Sequence, residues 1–287
     1  MQLASCWDVP HITMFHTLGH LKQLANPLEP EPLLRIEMER RLIHHVDGII
    51  ASTNEERLQM IRHCGATASQ VEVIPCGVDL NHFVPLNRHM ARSKLGLKQD
   101  VPVLLFVGRL DPFKGPDLLL RAAAMMEENA QIVVVGGQLT GDKELQQLRK
   151  LAAELTISSR VHFLGAQPQQ KLPLIYSSAD VTVVPSYHES FGLAAVESLA
   201  CGTPVVATRS GGLTAVIRHN ETGYLVPRSP GFFAERLDTL LRDPVLLARM
   251  RLGARPSVLQ FSWKNVASDM RYVYHKVLSE TRSLAAQ

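Results

Sequence analysis

Short runs rich in Val and Ile, separated by longer amphipathic stretches, constrain this chain more than any other feature. The runs are His11–Phe15, Gly48–Ala51, Val71–Ile74, Val103–Val107, Ile132–Val135, Val161–Leu164, Val181–Val184, Pro204–Ala207 and Gly223–Val226. Each is apolar without alternation, as strands of a parallel sheet are when helices cover both faces. Between them the apolar spacing turns helical. In Pro32–Val46, Leu34, Met38, Leu42 and Val46 recur every four residues. Further helical patterns cover Asn54–His63, Pro116–Glu127, Lys143–Leu155, Gln169–Ser178, Leu193–Ala200 and Phe232–Leu241, and a last one runs from Trp263 to about Leu278 after Ser262 as N-cap. Strand–helix alternation of this kind predicts an α/β fold with doubly wound sheets.

The 287 residues suit two domains. A polar stretch at Pro85–Lys98 marks the boundary. The expected division is a partial Rossmann-like domain at 1–85, a Rossmann-like domain at 86–260 and a terminal helical segment at 261–287. The region from Val101 to Arg255 supplies enough strands for a complete Rossmann-like domain. Residues 1–84 supply about half of one, so the first domain is expected to be incomplete, its remainder lying outside this chain or coming from another. Its uncovered apolar surface would then favour association, with a second copy or a complementing chain.

Composition narrows the function. Thirty Lys+Arg against 27 Asp+Glu leave a net charge of +3, too small for a nucleic-acid footprint. Cys6, Cys64, Cys76 and Cys201 form no zinc or disulfide spacing. The first residues do not read as a secretory signal, and no apolar run reaches a membrane span. Cytoplasmic residence, with at most peripheral membrane contact, is the expectation.

Two loops carry the strongest chemistry. Pro185-Ser-Tyr-His-Glu-Ser-Phe-Gly-Leu-Ala-Ala-Val-Glu197 follows a strand, so it lies at the carboxyl edge where open α/β sheets bind ligands. Gly192 permits close backbone approach, and the helix after it begins with unpaired N–H groups suited to an anion or to hydroxyls. Glu189 and Glu197 sit eight apart and could bracket one ligand. Phe106-Val-Gly-Arg-Leu-Asp-Pro-Phe-Lys-Gly115 also leaves a strand, with Gly108 at the turn and Arg109 and Lys114 as cations for a diphosphate. A third motif, Phe15-His-Thr-Leu-Gly-His-Leu-Lys22, places His16 where strand meets loop. On the first long helix Arg35 and Glu39 form an i,i+4 pair, which could equally be a surface ion pair. There is no D-x-D sequence of the kind that bridges a metal to a diphosphate, and no G-x-G-x-x-G dinucleotide fingerprint.

These motifs together resemble the retaining GT-B glycosyltransferases of family 4, over essentially the whole chain. Within the family the patterns are similar to the inositol-phosphate and sucrose-phosphate-synthase-like branches. The resemblance implies two Rossmann-like domains facing a cleft, with the last helix returning to the first. It implies that Glu197 holds the donor ribose, that Glu189 contacts sugar hydroxyls, and that the backbone of Ser190, Phe191, Gly192 and Leu193 cradles sugar and phosphate. Arg109 and Lys114 would hold the diphosphate after Gly108. Gly136 would lie near the donor, and Gln167 stands where relatives carry an Arg beside the base. His16 would lie beside the donor sugar, with Thr17, Lys22 and Arg35 toward the acceptor. The implied catalytic set is His16, Arg109, Lys114 and Glu189. The implied reaction is transfer of a hexose from an NDP-sugar, UDP-glucose or UDP-N-acetylglucosamine, to a hydroxyl of a sugar phosphate, inositol phosphate or glycan. The nucleotide sugar is a substrate, and no cofactor or metal is expected. Two rivals stay open: a truncated nucleotide-sugar-binding protein without turnover, and a sugar-nucleotide epimerase of the same architecture.

Overall fold

The computed structural model describes residues 6–7, 9–27 and 30–285. The chain forms two compact units. One gathers Met1–Gly77, Glu189–Phe191 and Phe261–Gln287, and the other Val78–His188 and Gly192–Gln260. Among the described residues no helix is long and apolar enough to cross a membrane.

The smaller unit is built on a parallel sheet ordered β1 (Ile12–Met14), β2 (Gly48–Ala51), β3 (Val71–Val73). Successive side chains of β2 enter opposite cores, as strand pleating requires. Ile49 and Ala51 pack with Leu18 just before helix α1 (Gly19–Ala25), Leu21 of α1, Ile43 of α2 (Leu33–His45) and Met60 at the end of α3 (Asn54–Gln59). Ile50 packs with Val266, Val273 and Val277 of the terminal helix α12 (Trp263–Ala285). Burial on both faces is why β2 reads as an unbroken apolar run. Gly77 lies so close to the Trp263 ring that a Cβ there would sit 2.4 Å from it, so the absence of a side chain lets α12 approach.

Only half of the four-residue stripe read into α2 faces the core: Val46 is buried and Leu42 packs against the same cluster. Leu34 and Met38 are 70% and 47% exposed, whereas Ile36 and Ile43 are buried. Toward its start the inward face carries Ile36, Glu39 and Ile43 and includes a charge, so the apolar spacing there picked out Leu34 and Met38 on the exposed side. The predicted helix at Asn54–His63 starts on its Thr53 cap, which accepts from Glu56 N–H, but widens to π geometry over Met60–Cys64 before Gly65 ends it at φ +84°.

The larger unit holds a six-stranded parallel sheet ordered β6-β5-β4-β7-β8-β9. These strands are β4 (Val103–Val107), β5 (Gln131–Val135), β6 (Val161–Gly165), β7 (Val181–Val184), β8 (Val205–Thr208) and β9 (Gly223–Val226). Leu104, Phe106, Ile132, Val134, Val181, Val183 and Val206 form one core with Leu118, Leu119, Leu145, Leu148, Phe233 and Leu237 from α5 (Pro116–Met125), α6 (Lys143–Glu154) and α10 (Pro230–Arg242). Each fully buried Leu or Val of this set contributes roughly 1.5–3 kcal/mol.

The polar stretch at Pro85–Lys98 contains a helix that the apolar pattern does not reveal, α4 (Arg88–Leu95). Asn87 caps it by accepting Met90 N–H at 3.0 Å, and Gly96 closes it at φ +68°. Its inward face buries Arg92, whose guanidinium bonds the Ser178 carbonyl at 3.0 Å, the Gln99 carbonyl at 2.6 Å and the Asp180 carboxylate. A buried ion pair stands where an apolar stripe would otherwise signal the helix. Helix α11 (Pro244–Ala254) was equally hidden: Asp243 caps it, but Val245 and Leu252 face solvent and blur the inward stripe of Leu247, Met250 and Ala254.

Candidate functional site

In the larger sheet the winding reverses between β4 and β7, and this is where open α/β sheets bind ligands outside the strand ends. The two loops singled out from the sequence leave these neighbouring strands. They are fastened to each other: Tyr187 N–H donates to the Phe113 carbonyl at 2.9 Å, and the two rings lie 5.9 Å apart. Gly115, at φ +72°, has no room for a Cβ, which would meet the Pro185 carbonyl at 2.6 Å. Arg228 braces the second loop, donating to the Pro185 carbonyl at 3.0 Å with its guanidinium 3.4 Å from the Tyr187 ring centroid.

Gly108 N–H donates to the Val135 carbonyl at 3.0 Å, tying the ends of β4 and β5 together. Gly136 sits at φ +144°, and a Cβ there would lie 1.9 Å from the Gly108 carbonyl oxygen. Asp142 holds the next turn, accepting from Gln138 N–H at 2.8 Å while capping α6 through Leu145 N–H at 2.9 Å. These backbone donors pull its carboxyl below the usual range. Gly136→Ala is expected to cost about 2 kcal/mol or more, because neither backbone segment can give way. A urea-unfolding midpoint unchanged in that variant would contradict this packing.

Arg109 is exposed and pairs with Asp111 at 3.2 Å. Lys114 is half-buried, its backbone held by Asp111 through N–H bonds to the carbonyl at 3.0 Å and to Oδ1 at 3.2 Å. Gly192 takes φ +98° as the N-cap of α8 (Leu193–Ala200), and a Cβ would press on Leu213 at 2.8 Å. The first turn of α8 presents N–H groups that a helix leaves unsatisfied. Leu193 is exposed at its start. Glu197, one turn on, is half-buried and accepts from the Tyr176 hydroxyl at 2.8 Å. Burial pushes its carboxyl upward, against the pull of that hydrogen bond and of nearby His82. Gln167 follows β6, but its side chain folds back to donate to the Leu164 carbonyl at 2.6 Å.

The remaining candidates lie in the smaller unit. His16 is exposed after β1, and its carbonyl accepts from the Ser190 hydroxyl at 2.6 Å. Glu189 and Ser190 are half-buried, and Phe191 packs edge-on to Phe261 with centroids 5.2 Å apart. Thr17 is exposed, and its carbonyl accepts from Arg35 at 2.7 Å. Lys22 and Arg35 come together, but they are not an open pair of cations. Glu31 binds both at 2.6 Å, and Glu39 takes Arg35 Nε at 2.8 Å.

Several residues beside these sites were not evident from sequence: Tyr176 against Glu197, Arg228 against Tyr187, Glu31 against Lys22, and Glu56. Only Glu56 left a trace, as the fourth residue of a Thr53-x-x-Glu56 capping box. Its carboxylate is buried and accepts Ser52 N–H at 2.6 Å. Burial raises its carboxyl to about 7, with the Ser52 and Ser190 donors opposing the shift. A carboxyl raised in the folded state favours folding while protonated, and that contribution fades as pH climbs from the unfolded value through about 7. The loss is on the order of 3 kcal/mol. Urea midpoints measured from pH 5 to 8 should therefore slope downward in the wild type and less so in Glu56→Gln; equal slopes would contradict the burial argument.

Comparison with known proteins gives consistent relatives. The model described as Glycosyl transferases group 1 matches residues 87–256, and that described as Glycosyltransferase Family 4 matches residues 1–82. D-inositol 3-phosphate glycosyltransferase 2 of Catenulispora acidiphila is 40% identical over 97% of this chain and 68% of its own length. D-inositol 3-phosphate glycosyltransferase of Acidothermus cellulolyticus is 40% identical over 98% of this chain and 65% of its own. The chain thus spans about two thirds of the length of these curated relatives. Among solved structures, sucrose-phosphate synthase of Thermosynechococcus elongatus superposes with a TM-score of 0.88 at 32% identity, covering 97% of this chain and 70% of that one. Anabaena HepE, solved with UDP and glucose, shares the fold at a TM-score of 0.84 and 22% identity, covering 95% and 73%.

Proposed function

The chain belongs to the group 1/family 4 glycosyltransferases, of GT-B fold, and from that premise we propose that it transfers a hexose from UDP-glucose or UDP-N-acetylglucosamine to a hydroxyl of a sugar or inositol phosphate. The transfer retains the anomeric configuration and needs no metal ion. One observation carries the reading: a Gly-Arg…Lys loop and a Glu-x7-Glu loop leave adjacent strands at the reversal of strand order and are bonded to each other through Tyr187 and Phe113. The 40% identity to relatives named for inositol 3-phosphate supports the acceptor class.

In this reading the carboxylate of Glu197 accepts from the ribose 2′- and 3′-hydroxyls, and Tyr176 fixes its orientation. Arg109 and Lys114 neutralise the charge that grows on the departing diphosphate. Glu189 and the backbone from Ser190 to Leu193 hold sugar and phosphate, with His16 beside the sugar. The bond from the anomeric carbon to the phosphate oxygen breaks as the acceptor oxygen bonds to the same face. The acceptor's proton passes to the leaving phosphate, so no side chain is needed as covalent nucleophile. The aspartate pair that would bridge a metal to the diphosphate is missing from the sequence, which supports charge neutralisation by side chains.

The test is product analysis with an inositol phosphate as acceptor. An α-linked product by proton NMR, formed at the same rate with and without EDTA, is expected from these α-linked donors. A β-linked product would overturn retention, and loss of rate in EDTA would overturn metal independence.

A further inference from the structure

Among the described residues, the smaller unit contains a cluster of two cations, Lys22 and Arg35, and two carboxylates, Glu31 and Glu39. Glu31 is buried, one residue before the Pro32 that caps α2. Its Oε1 accepts from Lys22 Nζ and its Oε2 from Arg35 Nη1, both at 2.6 Å. Glu39 accepts from Arg35 Nε at 2.8 Å and from Gly19 N–H at 2.7 Å, and Arg35 Nη2 donates to the Thr17 carbonyl at 2.7 Å. The two cations lower the Glu31 carboxyl below its usual range, the hydrogen bond from Lys22 contributing most.

The two carboxylates differ in what they hold. Glu39 fastens the start of α1 through a backbone N–H, so removing it would disturb the fold. Glu31 directs one oxygen at each cation and bridges them as a phosphate would. We propose that Glu31 is an internal stand-in for the acceptor's phosphate and so determines acceptor specificity. It keeps Lys22 and Arg35 paired until a group of higher charge displaces it. A phosphate monoester carries about −1.5 to −2 near neutral pH and outcompetes a single carboxylate charge; a neutral polyol does not. Charge-assisted, two-point pairing of Arg with phosphate favours the exchange. The proposal rests on the reading of a phosphorylated acceptor with Lys22 and Arg35 turned toward it.

The test is calorimetric titration of the whole chain with inorganic phosphate and with D-inositol 3-phosphate. The proteins are wild type, Glu31→Gln, Glu31→Asp, Arg35→Gln and the Glu31→Gln/Arg35→Gln double variant, with thermal unfolding as the check on folding. Glu31→Gln keeps the shape and removes the competing charge, so it is expected to bind both ligands about tenfold more tightly, roughly the weight of one charge-assisted hydrogen bond. Glu31→Asp keeps the charge but shortens the bridge and is expected to fall between, which decides the matter if Glu31→Gln does not fold. Arg35→Gln should abolish binding in either background. Phosphate binding that depends on Arg35 but is no tighter in the Glu31 variants would overturn the role of Glu31 alone. Binding that does not depend on Arg35 in any protein would overturn the acceptor-phosphate reading with it.

Discussion

Replacing Lys114 with alanine is expected to lower acceptor-dependent UDP release by about 10²–10³-fold, the usual effect of deleting one group aimed at charge that develops in the transition state. The backbone of Lys114 is held by two bonds to Asp111, and the following Gly115 packs against the Pro185 carbonyl. The cation is therefore presented from a fixed platform at the end of β4. Arg109 emerges from the same loop but is 79% exposed, so its alanine variant should lose less. The loss at Lys114 should fall mainly on kcat, with the unfolding midpoint unchanged. A variant that retains wild-type kcat would remove Lys114 from the catalytic set.

Replacing Glu197 with alanine is expected to weaken UDP binding by on the order of 2–3 kcal/mol, since it removes hydrogen bonds to a charged group. It also strands the Tyr176 hydroxyl, which is wholly buried and otherwise bonded to this carboxylate. Leaving a buried donor unsatisfied costs about 1–3 kcal/mol of stability. The two effects separate in a double variant. Glu197→Ala/Tyr176→Phe should recover much of the lost stability and none of the lost UDP affinity. Recovery of both would mean that Glu197 supports the loop and does not touch nucleotide.

The strands could be read from sequence because burial on both faces forces an unbroken apolar run, as Ile49 and Ile50 show by entering opposite cores. The Gly-Arg…Lys and Glu-x7-Glu motifs could be read because their parts are near in sequence and their glycines mark turns. What escaped were elements whose inward faces carry charge. Helix α4 is held by Arg92 on Asp180, and α2 turns Glu39 inward, so the apolar period selected the exposed Leu34 and Met38. Long-range partners escaped for a different reason. Tyr176 reaches Glu197 across 21 residues, and nothing local in a helix reading Leu-Pro-Leu-Ile-Tyr announces that contact. The Arg35–Glu39 pair was visible from its i,i+4 spacing. The second carboxylate on Arg35, Glu31, has the same spacing but precedes the helix.

On the proposed function, the two loops at the strand-order reversal bind a uridine diphosphate sugar and release UDP when an acceptor takes the sugar. UDP release from UDP-glucose and UDP-N-acetylglucosamine, with and without inositol phosphate and sugar phosphates, tests it directly when paired with UDP affinity on the same sample. The expected result is UDP binding, release that requires a phosphorylated acceptor, and loss of release in the Lys114 and Glu197 variants. Binding without acceptor-dependent release would make the chain a nucleotide-sugar-binding protein, and no binding at all would contradict the assignment of the site.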